Sequence, residues 1–165
     1  MDQALLERAG HGRVVVVALA SKPGADYART SQHAERYFRQ LGAQVLAAPD
    51  ARRSPKEAAD AVAAAGYIVM TGGSPRLLRD GLVETGIGDL IKKRYADGCL
   101  VMGSSAGAMV AGAATLLPQW RGDPQLGPGL GLVSGHVVVP HFDGKRSAWV
   151  RVALSAGDFT GLGVA

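Results

Sequence analysis

Cys99-Leu100-Val101-Met102-Gly103-Ser104-Ser105-Ala106-Gly107-Ala108 is the stretch on which the fold turns. Its first four residues form a short apolar run, the kind that makes a strand buried on both faces of a parallel sheet. A turn at Gly103 and a helix of small residues from Ala106 follow at once. A buried strand passing directly into a helix is the building unit of α/β folds, whose parallel strands are joined by right-handed helical crossovers.

The same alternation extends toward the N-terminus. Val14 to Ala20 is a continuous apolar, largely β-branched run, Gln44 to Ala48 reads as a short strand, and Tyr67 to Met70 as a third. Between them lie helical patterns. Ala34, Tyr37, Phe38 and Leu41 have helical spacing within Ser31 to Leu41, closed by Gly42. Ser54-Pro55-Lys56-Glu57 has the form of a capping box, with Ser54 as cap and a helix to about Ala65. Two further helices are expected over roughly Pro75 to Val83 and Gly88 to Ala96. Beyond the elbow helix, Pro118 to Gly131 reads as loop, with strands near Leu132 and over His136 to Val139. Residues 1–165 read as a single α/β domain without repeats.

Composition narrows the function classes. Apolar residues are 47% of the chain, enough for a substantial core, and the net charge of +4 is spread without a basic run long enough to track a phosphate backbone. Aromatics are 5%, too few for base-stacking surfaces, so no nucleic-acid partner is expected. One cysteine, Cys99, excludes an internal disulfide and sits in an apolar run. No apolar run approaches a bilayer span and the first residues lack a signal peptide, so the expectation is a cytoplasmic protein with no membrane partner. The histidines lack metal-ligand spacing, and Gly127 to Gly131 matches neither a Walker nor a dinucleotide motif, so no metal and no cofactor is expected.

Three segments carry candidate chemistry. Glycines on both sides of Ser105 permit the cramped turn that lifts a serine nucleophile above a sheet, with the Ala106 amide and the helix N-terminus near an oxyanion. The same turn also suits a serine that only caps the helix. Gly72-Gly73-Ser74 follows a strand's carboxyl end, where open α/β sheets place ligand loops. Its Gly73 amide could be a second oxyanion donor, or the segment an ordinary turn. His141 lies just past the strand ending at Pro140, within reach of a neighbouring strand's nucleophile, or it is a solvated loop histidine.

Together these segments resemble the dipeptidase E and cyanophycinase family of serine peptidases. Thr71-Gly72-Gly73-Ser74 resembles the family's glycine pair, Gly103 to Ala108 its nucleophile elbow, and Gly129-Leu130-Gly131-Leu132 with His141-Phe142 the segment delivering the histidine. The resemblance implies a flavodoxin-like three-layer sandwich with a mostly parallel central sheet. It also implies Ser105 as nucleophile, His141 as base, and a small peptide substrate cleaved at aspartyl dipeptide or β-aspartyl bonds. Arg76 and Arg146 are candidate cations for the acidic side chain, although exposed arginine is the commoner explanation for both. Asp123 is the leading candidate for the third triad position, with Asp143 and Asp158 behind it.

The chain also departs from the family. Met1 to Ala9 already reads as the first helix, where relatives begin with another strand. Gly161 to Ala165 resembles the strand before an acidic residue that orients the histidine. A shortened form is expected to be a weak or inactive hydrolase unless Asp123 or another chain supplies the acid, and to associate as a homodimer that covers an open sheet. The alternative is an inactive relative that binds a small molecule or a protein. A general esterase fits less well, because the glycine pair precedes the elbow and the histidine follows it closely.

Overall fold

The computed structural model describes residues 2–10, 12–142, 147–155 and 159–164. Its central sheet contains β1 (Val14–Val17), β2 (Val45–Ala47), β3 (Tyr67–Met70) and β4 (Leu100–Gly103). The strand order is β2-β1-β3-β4, and every pairing is parallel.

Side chains on a strand alternate between faces, and this sheet buries both. Val14, Val16, Tyr67 and Val69 face one layer, against Phe38 of α2 (Ala25–Gln40) and Leu5 and Leu6 of α1 (Asp2–Arg8). Val15, Val17, Ile68 and Met70 face the other. There they meet Ala58 and Val62 of α3 (Pro55–Ala63), Leu78 and Leu82 of α4 (Pro75–Glu84), and Ile87 and Ile91 of α5 (Ile87–Ala96). The result is the expected flavodoxin-like sandwich of helix, sheet and helix.

A second sheet follows the elbow helix α6 (Ala106–Ala111). It contains β5 (Gly112–Leu117), β6 (Gln125–Pro128), β7 (Val133–Pro140) and β8 (Thr160–Val164) in the order β6-β5-β7-β8. β5 pairs antiparallel with β6 and parallel with β7, which pairs parallel with β8. Met109, Ala114, Leu116, Val137 and Val139 form its core, against Trp149 and Val150 of α7 (Ser147–Ser155).

Several boundaries differ from the sequence reading. α2 begins at Ala25 rather than Ser31, because Tyr27 is buried and anchors the first turn through its hydroxyl, which donates to the Ala48 carbonyl at 2.9 Å. Ser54 precedes α3 as expected, but its side chain makes no capping bond. Asp50 organises that turn instead: its backbone carbonyl accepts from Ser54 N–H, and its carboxylate from Arg52. The stretch expected to be loop contains β6, and the small-residue helix stops at Ala111 to become β5.

Candidate active site

β4 ends at Gly103 and α6 starts at Ala106, so only Ser104 and Ser105 make the turn. Such a short connection forces strand and helix together. A Cβ on Gly103 would strike the Gly107 carbonyl carbon, and one on Gly107 would strike the Met70 carbonyl oxygen. Only glycine fits either place.

Ser105 stands at the cap position of α6, yet its side chain makes no capping hydrogen bond. Its hydroxyl lies 3.1 Å from His141 Nε2. The capping alternative therefore fails: the hydroxyl faces a base instead of the helix amides. Ser105 has φ 48° and His141 φ 54°, the only positive values among described non-glycine residues. Such backbone costs on the order of 1–3 kcal/mol per residue and persists where surrounding structure enforces it.

The packing of α6 on β7 produces this meeting. At the far end of α6, a Cβ on Gly112 would lie 2.9 Å from the His136 carbonyl oxygen. The helix then runs back along β7, so its N-terminus arrives where β7 ends and His141 begins. Met109 packs with Val137 and Val139 along the way.

Two sets of amides converge on the same turn. Thr71 N–H donates to Val17 and Ser74 N–H to Ala20, while the Gly72 and Gly73 amides between them have no acceptor among the described residues. On the elbow, Gly107 N–H donates to Ser104 and Met109 N–H to Ser105, leaving the Ala106 amide equally without an acceptor. Gly73 has φ 138°, and a Cβ there would lie 2.6 Å from the Ala20 carbonyl oxygen. The glycine loop thus lies flat against β1's exit. A Cβ on Gly72 would sit 3.4 Å from Ser105 Cβ, which puts loop and serine in contact.

The other candidates fall differently. Arg76 lies in the first turn of α4, half-buried, with no ion-pair partner among the described residues. Asp123 is exposed, and no described carboxylate hydrogen-bonds His141. The structure therefore does not bring Asp123 to the imidazole. Arg146, Asp143 and Asp158 lie outside the described residues.

The sequence reading passed over Lys22. It lines a cleft of about 320 Å³ beside the glycine loop, with Ser21, Arg29, Thr30 and Ser74. A lone lysine after Ser21 looks like any surface lysine. Its signal is the position just past the carboxyl end of β1, where such sheets bind ligands.

Cys99 does not compete as nucleophile. It is buried, its Sγ lies 3.4 Å from the Ala65 carbonyl oxygen, and burial pushes its thiol pKa up, against a smaller opposing effect of Arg94. A thiol held protonated is a poor nucleophile. Among the described residues no cluster of His, Cys, Asp or Glu could hold a metal ion, and no helix is long and apolar enough to cross a membrane.

Comparison with known proteins places these features in context. The sequence profile of peptidase family S51 matches residues 1–157. No curated protein matches the chain by sequence. A crystal structure of a peptidase from an acI-B1 Actinobacterium superposes with a TM-score of 0.80 at 22% identity, covering 99% of this chain and 72% of that one. A putative peptidase E protein from Listeria monocytogenes EGD-e gives 0.65 at 18% identity, covering 93% and 77%.

Proposed function

The chain belongs to peptidase family S51, a serine-peptidase lineage, and from that premise we propose that it cleaves aspartyl dipeptide or β-aspartyl peptide bonds through an ester on Ser105. The observation carrying this reading is the 3.1 Å approach of Ser105 Oγ to His141 Nε2.

The chemistry follows from that pair. Oγ attacks the scissile carbonyl carbon while its proton passes to Nε2. The carbonyl oxygen becomes an oxyanion, which the Gly73 and Ala106 amides stabilise. The C–N bond then breaks, and the imidazolium returns the proton to the leaving amine. Water attacks the resulting ester, again giving its proton to Nε2. The ester C–O bond breaks, the acid departs, and the proton returns to Ser105.

Selection of an aspartyl carboxylate needs a cation near this point. Arg76 follows the glycine loop by three residues and Lys22 lines the cleft beside it, where Asp26 is paired with Arg29; neither Arg76 nor Lys22 has an ion-pair partner among the described residues. The test is liquid-chromatographic assay of Asp-Leu against its uncharged analogue Asn-Leu. We expect Asp-Leu to be cleaved at least tenfold faster, with the ratio falling in Arg76→Gln or Lys22→Gln. Equal cleavage of the two dipeptides would remove the acidic-substrate reading.

A further inference from the structure

Next to the cleft that holds Lys22, and sharing Thr30 with it, is a second cleft of about 300 Å³ with different chemistry. Its walls are Ala34, Tyr37 and Phe38 from α2, Val69 from β3 and Met102 from β4. Tyr37 and Phe38 stand edge to face, ring centres 5.2 Å apart. Phe38 and Val69 are buried within the core, whereas Tyr37 is 42% exposed at the mouth. His33 and the Tyr37 phenol are the only ionisable groups on its lining, and Thr30, Thr71 and Ser104 add hydroxyls at its polar end, so it carries no lysine or arginine.

The cleft adjoins the turn that carries Ser105. Its rim includes Gly72 and Ser104. Gly72 approaches Ser105 as closely as a side-chain contact, and Ser104 directly precedes it. A peptide whose carbonyl is held at Ser105 therefore has this largely apolar recess and the Lys22 cleft as neighbours.

We propose that this apolar cleft receives the side chain of the substrate residue that adjoins the aspartyl residue, so that bulky apolar residues, aromatic or leucine-like, are preferred there. The inference rests on the peptidase reading above. The two recesses match a substrate that is anionic at one end and apolar at the other. Removing an apolar side chain of that size from water favours it over glycine by a factor of ten or more.

Two measurements separate this inference from the reading beneath it. The first is the ratio of kcat/KM for Asp-Phe to that for Asp-Gly. The wild type should show a ratio of at least ten. Tyr37→Ala, which opens the mouth, and Ala34→Met, which fills the recess, should each lower it fivefold or more. A ratio near one in the wild type, or one unmoved by both substitutions, overturns the proposal. The second needs no turnover. In Ser105→Ala protein, Asp-Phe should shift the Met102 methyl resonance and Asp-Gly should not. An unshifted Met102 in the presence of saturating Asp-Phe overturns the proposal even if the enzyme is active, and a shift upholds the cleft even if Ser105 proves inert. A change in particle mass by light scattering on Tyr37→Ala would show that a second copy of the chain occupies the cleft, which also overturns it.

Discussion

Ser105 Oγ and His141 Nε2 lie 3.1 Å apart, and these two residues alone among the described non-glycine positions have positive φ. Strained backbone and a serine–histidine contact at the same two positions have one common explanation. Neither residue is placed for the comfort of its own turn, and both are placed for each other.

The first prediction follows from that strain. Glycine adopts positive φ without steric cost, so Ser105→Gly should stabilise the fold while abolishing hydrolysis. Relief of about 1 kcal/mol corresponds to a rise in Tm of about 2–4 °C for a chain of this size. Calorimetry checks it. A fall in Tm would mean that the hydroxyl's contacts outweigh the backbone cost.

Gly107→Ala should behave in the opposite way. The added methyl meets the Met70 carbonyl oxygen, and backbone has no soft way to yield. We expect a loss of at least about 3 kcal/mol, seen as poor soluble yield or a collapsed urea midpoint. Gly98→Ala, where a Cβ meets nothing within 4 Å, is the control for its own backbone cost at φ 90°. Equal stability of the two variants would contradict the close packing of the elbow.

Asp123→Asn should leave kcat within about threefold of wild type, because Asp123 is exposed and makes no bond to His141. Loss of a carboxylate that orients a catalytic histidine costs on the order of 10⁴ in turnover. A loss of that size in steady-state assays would show that the loop carrying Asp123 closes on the imidazole.

Much of this architecture is legible in the residues, and the failures have physical causes. The run Tyr67 to Met70 becomes β3 without change because a doubly buried strand is a continuous apolar stretch. The elbow is legible because strand, glycine and serine are adjacent in sequence. The start of α6 at Ala106 is legible too, but its end and β5 are not, since Ala111 to Ala114 is built of small residues with no period, and pairing of β5 with β7 decides where the helix ends. β6 hides behind Gly127 and Pro128, residues that a central strand excludes but an edge strand tolerates. Ser54 and Ser74 both precede a proline, yet only Ser74 caps, accepting from Leu77 N–H. Sequence and resemblance supply His141 and its pairing with Ser105, but not the packing of α6 along β7 that brings the two together.

Tyr27 gives a prediction in pH. Burial raises its pKa from 10.0 to about 12, with smaller opposing effects from the Ala18 backbone, Arg52 and Ser31. The folded state thus favours the neutral phenol, and the stability this represents is fully present below about pH 10. It is lost as pH rises from 10 toward 12, by on the order of 2–3 kcal/mol in total. Urea unfolding between pH 9 and 12 should show a decline that Tyr27→Phe lacks. Parallel curves for the two proteins would contradict the buried, protonated phenol.

We propose Ser105, activated by His141, as the nucleophile. Labelling with a fluorophosphonate probe, located by peptide mass spectrometry, tests this assignment. A single adduct is expected on Ser105, retained in Ser104→Ala, absent in Ser105→Ala and slowed at least a hundredfold in His141→Ala. An adduct on Ser104, or labelling of Ser105 at an undiminished rate without His141, would contradict it.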